Sequence, residues 1–193
     1  LQATAQAGMR LVETRLTYFH DQVQSFVPPR RWAVRRAVAA DAASLAEVAR
    51  AARNGFDRFH ADPFFSPEAG DAFVATYAAN SVNGFAEVVL VPDAPPGETG
   101  AFLSGDRDAI HSALCGVSMA RMVLSAVAPE RRGWYLKLVS ELTQWFREQG
   151  VQVVYLTTQS TNSAVLRVWE SLGYHFGRAS HVFAWSQGAR VEV

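Results

Sequence analysis

The residues best suited to chemistry lie in a basic, glycine-containing turn. Residues 130–135 hold Arg131, Arg132 and Gly133 between a hydrophobic strand and an amphipathic helix. The first turn of a helix presents unpaired backbone N–H groups and a partial positive charge, and arginines add charge-assisted donors. The turn is therefore a candidate site for a pyrophosphate. Many turns of this composition serve only geometry and solubility, so the turn alone does not decide the function.

A second group of residues follows the next strand. Residues 151–158 form a continuous apolar run, typical of a strand covered on both faces. Asn162 then precedes a short helix predicted over residues 163–171, which Gly173 ends. An asparagine in that position caps the helix, or it offers its amide group to a ligand. The residues leave both roles open.

The order of these features resembles the GNAT superfamily of N-acetyltransferases. The acetyl-CoA loop of that family reads [Gln/Arg]-x-x-Gly-x-[Gly/Ala], which places Gly133 at the central glycine. Glu130 replaces the first residue of the loop and Tyr135 the last small one. An alternative alignment places Arg132 on the arginine of the family and shortens the loop. The later family motif, Asn-x-x-[Ala]-x-x-x-Tyr-x-x-x-Gly-[Phe/Tyr], is matched from Asn162 onward.

The resemblance spans roughly residues 32–185 and implies an α/β fold. A central mixed twisted sheet of about seven strands is flanked by helices, with an extra N-terminal strand. It also implies direct transfer of acetyl from acetyl-CoA to a primary amine, in the gap between strands at residues 119–128 and 151–158. The residues that it implies for cofactor binding are Ser125, Ala126, Val127, Arg131, Arg132, Gly133, Trp134, Tyr135, Asn162 and Trp169.

One position departs from the family in a way that matters for the reaction. Trp169 stands where many members carry a tyrosine that protonates the departing thiolate. An indole has no acidic proton near neutral pH, so we expect Trp169 to pack beside CoA instead. With Glu130 and Tyr135, this departure motivates an alternative function. The chain would then be a GNAT-like module that binds CoA or a partner without turnover.

Four segments narrow the resemblance to one branch of the family. Residues 10–14, 58–64, 80–84 and 181–185 are similar to the TDP-fucosamine acetyltransferase branch and its relatives in polysaccharide pathways. That similarity implies that the acceptor is the amine of an amino sugar or sugar nucleotide.

Direct attack requires a neutral amine, and therefore a base with a pKa near the working pH. His60 and His181 are the candidate catalytic residues, although a histidine is often structural. Phe59, Asp62 and Gln159 are the candidate acceptor contacts.

Periodicity predicts the elements that position these residues. Residues 12–18 alternate between apolar and polar, which predicts a strand. A proline-containing linker follows, so we divide the chain into residues 1–31, a strand and linker packed on the domain, and residues 32–193, the acetyltransferase domain. Asp41 is expected to cap the next helix.

Further elements follow the same reasoning. Helices are predicted over residues 67–80 and from Gly133 to Gly150. Two strands are predicted within residues 101–128, and residues 174–185 are interpreted as a strand pair.

Composition excludes several classes of function. Eighteen Lys and Arg balance eighteen Asp and Glu, so no overall field favours nucleic acid or an anionic membrane. No apolar run approaches the roughly 20 residues of a membrane span. Cys115 is the single cysteine, which leaves no intramolecular disulfide, predicts no metal site and fits a reducing cytoplasm. We expect a small-molecule amine as partner, and a homodimer is left open.

Overall fold

The computed structural model describes residues 2–185 of the 193-residue chain. The strands are β1 (Arg10–His20), β2 (Val34–Arg36), β3 (Val88–Pro92), β4 (Ala101–Arg107), β5 (Met119–Val127), β6 (Val153–Gln159) and β7 (His175–Ala184). The helices are α1 (Gln2–Gln6), α2 (Ala42–Ala51), α3 (Arg58–Ala61), α4 (Pro67–Asn80), α5 (Ala109–Cys115), α6 (Trp134–Glu148) and α7 (Ser163–Ser171). The strands form one sheet in the order β2-β3-β4-β5-β6-β1-β7, and among the described residues only β5 and β6 pair in parallel. The predicted mixed sheet of seven strands is confirmed.

The longer helices follow the predicted pattern, whereas the short helices α1, α3 and α5 were missed. The helix predicted over residues 67–80 is α4, and the short helix predicted after Asn162 is α7. The region of residues 101–128 contains the two predicted strands, with α5 between them. α5 has seven residues and buries none of them, so it lacks the apolar stripe that marks a helix in a sequence. The side chain of Asp108, which accepts a hydrogen bond from the His111 amide, starts this helix.

The N-terminal strand lies inside the sheet. β1 pairs antiparallel with β6 from Arg15 opposite Gln159 to His20 opposite Val154, and it pairs antiparallel with β7 on its other side. The strand pair predicted for residues 174–185 is therefore wrong, since β7 is a single strand. β1 is eleven residues long and pairs with the whole length of β7. The backbone groups of β7 are therefore hydrogen-bonded by β1 and not by a second strand within residues 174–185.

Apolar side chains cover both faces of the sheet and hold the central strands in place. On one face α6 buries Leu138, Leu142 and Phe146 completely, at spacings that keep them on one side of the helix. On the other face Leu45 of α2 packs with Phe102 of β4, and both are fully buried. Burying each such side chain contributes about 1.5–3 kcal/mol. β4 and β5 are thereby fixed from both sides.

Asp41 fastens the start of α2 to the rest of the domain. It stands at the N-cap position, yet its side chain makes no capping bond to α2, contrary to the expectation from sequence. The carboxylate instead accepts two hydrogen bonds from Arg35, at 2.8 and 2.9 Å, and one each from the backbone N–H groups of Val38 and Gly97. These bonds, those from Arg35 above all, lower the pKa of Asp41 to about 2.

Asp41→Asn is expected to lower the free energy of unfolding at pH 7 by about 2 kcal/mol, because the carboxylate is more acidic in the folded chain than in the unfolded one. A lowered folded pKa gives stability that is present above the unfolded pKa, about 3.8, and is lost as the pH falls towards about 2. Urea denaturation at about pH 7 and about pH 2.5 should show a difference that shrinks in acid. Glu47→Gln, at an exposed ion pair with Arg50, is the control and should change stability by less than about 0.5 kcal/mol. An unchanged gap in acid would contradict the prediction.

Candidate active site

The candidate site is a cleft between the two parallel strands. β5 and β6 pair only where Met119–Arg121 faces Val153–Tyr155, and both strands then continue past the end of that ladder. A cleft of about 210 Å³ lies between the two continuing segments. The cleft brings together seven of the residues predicted from sequence, which are His60, Ser125, Ala126, Tyr135, Gln159, Asn162 and Trp169.

A bulge in β5 accompanies the opening. On β4 one residue, Ser104, lies between Leu103 and Gly105, whereas their partners on β5, Ser125 and Met122, are separated by two residues. The extra residue bends the strand and increases its twist, which favours divergence from β6. The buried Ser104 hydroxyl bonds to the backbone of Leu124 at the bulge. Its Oγ accepts a hydrogen bond from the Leu124 N–H at 3.0 Å and donates one to the Leu124 carbonyl at 3.2 Å.

The turn into α6 has room for an anion. Gly133 adopts a left-handed φ of 89°, and a Cβ there would meet no atom within 4 Å. No side chain caps α6, so the N–H groups of its first turn have no side-chain partner. Arg131 connects the turn to the loop between β3 and β4, because its Nη2 donates a hydrogen bond to the carbonyl of Glu98 at 2.9 Å. Arg132 is exposed beside it.

This turn and the cleft fit the donor that the resemblance implies. A diphosphate suits the uncapped helix start, and a pantetheine arm suits backbone groups of β5 that lie beyond its ladder with β6. Five predicted cofactor residues lie outside the walls of the cleft, at the end of β5, in the turn and at the start of α6: Val127, Arg131, Arg132, Gly133 and Trp134.

Asn162 occupies the N-cap position of α7, but its side chain does not cap the helix. Its side chain makes no bond to the helix N–H groups, and its Nδ2 donates to Thr158 Oγ1 at 3.2 Å. Of the two roles left open by the sequence, side-chain capping is therefore absent from the structure. Asn162 lines the cleft, and its side-chain oxygen has no hydrogen-bond partner within residues 2–185.

Tyr135 and Trp169 form a polar pair at one wall of the cleft. Trp169 is 2% exposed, and its Nε1 donates to Tyr135 Oη at 2.8 Å. Burial raises the pKa of the Tyr135 phenol, so this group keeps its proton at neutral pH. The sequence predicted that Trp169 packs beside the cofactor but held no sign of its partner.

The opposite wall carries charged and amide groups around α3. His60 is almost fully buried, with Nδ1 2.8 Å from Asp57 Oδ2 and Nε2 3.1 Å from Asp71 Oδ1. Asp57 also caps α3, because its Oδ1 accepts from the N–H groups of Phe59 and His60. Asp71 is held in turn by Arg53, whose hydrogen bond is the main reason that the pKa of Asp71 falls to about 2. Both ring nitrogens of His60 therefore face carboxylates.

Gln159 joins this wall to β1. Its Nε2 donates to Glu13 Oε2 at 3.1 Å, and its Oε1 accepts from Asn54 Nδ2 at 2.9 Å. Glu13 is 5% exposed and is paired with Arg15. Sequence reasoning missed Asp57, Asn54 and Glu13. The spacing of Asp57 three residues before His60 was the one available signal, as an N-cap of a short helix.

The remaining three predicted residues, Phe59, Asp62 and His181, also lie away from the cleft. Phe59 and Asp62 line a separate groove of about 940 Å³ on the other side of α3, where Asp62 is paired with Arg10 at 2.5 Å. His181 lies on the outer strand β7, and its Nδ1 is 3.0 Å from Thr14 Oγ1.

A seven-stranded mixed sheet that opens between its two parallel strands is the fold of the GNAT class of acyltransferases. The family model described as the Acetyltransferase (GNAT) family matches residues 41–174, and the chain belongs to that family. Members of that family transfer an acetyl group from acetyl-CoA to an amine. No curated protein matches the sequence.

Solved structures share the fold at low sequence identity. A GNAT-family acetyltransferase from Novosphingobium aromaticivorans is 17% identical, with a TM-score of 0.59 over 93% of this chain and 69% of its own. One from Colwellia psychrerythraea is 16% identical, with a TM-score of 0.58 over 91% of this chain and 56% of its own. The glucosamine N-acetyltransferase region of a fungal multi-domain GH3 beta-N-acetylglucosaminidase is 16% identical, with a TM-score of 0.65 over 94% of this chain and 22% of that one. This chain thus spans little more than half the length of the Colwellia protein.

Residues 2–185 contain no group of His, Cys, Asp and Glu arranged to hold a metal ion. No helix there has both the length and the apolar character needed to cross a membrane.

Proposed function

We propose that the chain acetylates the primary amine of an amino sugar or sugar nucleotide, by direct attack of that amine on acetyl-CoA. The observation that carries this proposal is the polar wall around α3, where Asp57, Asn54 and Gln159 line the cleft across from Tyr135. A carboxylate attracts a substrate ammonium group, and carboxamides both donate to and accept from sugar hydroxyls. Each of these groups has a partner within the chain, and each keeps a further lone pair or N–H that a polar acceptor could use.

The proposed donor site uses the other half of the cleft. Acetyl-CoA supplies an activated thioester. The first N–H groups of α6, with Arg132, would hold the diphosphate, and backbone groups near Ser125 and Val127 would bind the pantetheine amides. Asn162, whose side-chain oxygen has no partner among residues 2–185, would orient the same arm.

The proposed acceptor chemistry centres on Asp57. Of the two histidines predicted as bases, His60 lines the cleft and His181 does not. Because both nitrogens of His60 face carboxylates, we assign it to holding Asp57 in place. Asp57 would then bind the ammonium form of the acceptor, which loses its proton to solvent before attack.

The identity of the acceptor rests on this lining. One structural relative is named as a glucosamine N-acetyltransferase region, and at 16% identity it shares the fold. The sequence similarity to the TDP-fucosamine branch is the reason that the proposal includes sugar nucleotides. Phe59 and Asp62 would serve only an acceptor long enough to reach the groove beyond α3.

The test is release of free CoA thiol, followed with amino sugars, nucleotide-linked amino sugars and simple alkylamines. We expect turnover to be fastest with amino sugars and absent with the matching sugars that lack an amine. Calorimetry of CoA binding accompanies the assay. Absence of CoA binding would overturn the proposal. CoA binding without acetylated product from any amine would favour the alternative of a binding module, which Trp169 and Tyr135 motivated at the outset.

A further inference from the structure

We propose that Tyr135 donates the hydrogen bond that stabilises the CoA thiolate as acetyl transfer releases it, and that Trp169 positions Tyr135 for this role. The inference rests on the acetyl transfer proposed above. The amine nitrogen bonds to the carbonyl carbon, and the C–S bond breaks with its electron pair on sulfur. The proton of the amine passes to solvent. Negative charge therefore develops on sulfur inside the cleft, where a fixed donor is worth more than in water.

The direction of one hydrogen bond carries the argument. The indole Nε1–H of Trp169 can only donate, so the phenol oxygen of Tyr135 is the acceptor at 2.8 Å. The phenol proton must then point elsewhere. Within residues 2–185, Trp169 is the one hydrogen-bond partner of Tyr135 Oη, and Tyr135 lines the cleft. The proton is left for a ligand in the cleft.

Other polar groups on the cleft walls are already used within the chain. The Thr157 hydroxyl lies 3.0 Å from Thr17 Oγ1 across the β1–β6 pair. The Thr158 hydroxyl donates to Gln159 Oε1 at 3.4 Å, and it accepts from Asn162 Nδ2 at 3.2 Å. These groups are oriented by their partners on β1, β6 and α7. Either threonine of the Thr17–Thr157 pair can be the donor, so the Thr157 proton is engaged only when Thr157 donates, whereas the Tyr135 proton has no partner within residues 2–185.

The surroundings of Tyr135 suit a donor that keeps its proton. Burial raises the pKa of the phenol, so it supports a hydrogen bond to the thiolate in preference to complete proton transfer. Trp169 is itself fixed, being buried with its ring centroid 5.5 Å from that of Tyr18. Ser125 is the other cleft hydroxyl to consider, but its O–H rotates, whereas the indole of Trp169 fixes the phenol.

The test needs no acceptor. CoA is titrated in its complex with the protein, and the ultraviolet absorbance of the thiolate reports ionisation of the bound thiol. A donor that stabilises the thiolate makes that thiol more acidic, so Tyr135→Phe should lower its acid dissociation constant about tenfold. Once an acceptor is known, kcat should fall about tenfold, while KM for acetyl-CoA stays within about twofold.

Two comparison variants keep the inference falsifiable. Tyr135→Phe leaves a buried indole N–H without an acceptor, so the double variant Tyr135→Phe/Trp169→Phe, which removes both polar groups, replaces it if the single variant does not fold. Ser125→Ala tests the competing hydroxyl. Equal thiol acidity in the wild type and the Tyr135 variant, or a loss confined to Ser125→Ala, would overturn the inference alone. Failure of the wild type to bind CoA would overturn the proposed function with it.

Discussion

Asp57→Asn is expected to lower kcat/KM for the amine about 100-fold, with KM for acetyl-CoA within about twofold of the wild-type value. The carboxylate of Asp57 lies in the acceptor half of the cleft, where it would bind the substrate ammonium. Asparagine caps helices nearly as well as aspartate, so the substituted side chain should still accept from the N–H groups of Phe59 and His60. The variant therefore removes charge while the local fold stays intact. Steady-state kinetics with the best amine of the panel measures the effect.

Asp71→Asn is the matched control for this variant. Asp71 lies against the other nitrogen of His60, at 3.1 Å, but does not line the cleft. Its replacement should change kcat/KM by less than about fivefold. If both variants lost activity equally, the geometry of His60 would be the cause and the ammonium site at Asp57 would be wrong. Full activity of Asp57→Asn would be equally decisive against it.

Trp169→Ala is expected to lower the free energy of unfolding by about 3–5 kcal/mol, the range for removing a large aromatic side chain from a core. Trp169 is 2% exposed and lies where α7 packs on β1, against Tyr18. Its loss leaves a cavity and also removes the donor that holds Tyr135. Urea denaturation followed by circular dichroism measures the change.

Trp185→Ala provides the comparison, since that indole is 62% exposed and should contribute less than about 0.5 kcal/mol. Trp169→Phe should lie between the two, because it keeps most of the volume and loses the N–H. A loss below about 1 kcal/mol for Trp169→Ala would show that the surrounding side chains close over the cavity, and would contradict a rigid wall at this position.

The sequence predicted more of the cofactor side of the candidate site than of the acceptor side. The turn at Gly133 and the asparagine before α7 carry local signals, a left-handed glycine and a helix start, and both lie where the sequence predicted them. The acceptor wall has no such signature. Asp57, His60 and Asp71 meet because α4 folds back over α3, and short polar segments of this kind give no periodic pattern.

Elements whose signals are local could be predicted from the amino-acid sequence. The α4 and α7 helices follow from periodicity and capping residues within a few turns of the chain. The motif from Asn162 came from resemblance to the family, whose model covers it. Cytoplasmic location and any dimer stay predictions from sequence.

The contacts between residues distant in sequence became known from the three-dimensional fold. It placed β1 between β6 and β7, so that Glu13 reaches Gln159 across 146 positions of sequence. It also placed the phenol of Tyr135 within hydrogen-bond distance of Trp169. In the sequence these two residues were separate departures from two family motifs. The physical reason is that strand order and side-chain pairing depend on how separate apolar faces are buried together, and a local pattern does not contain that choice.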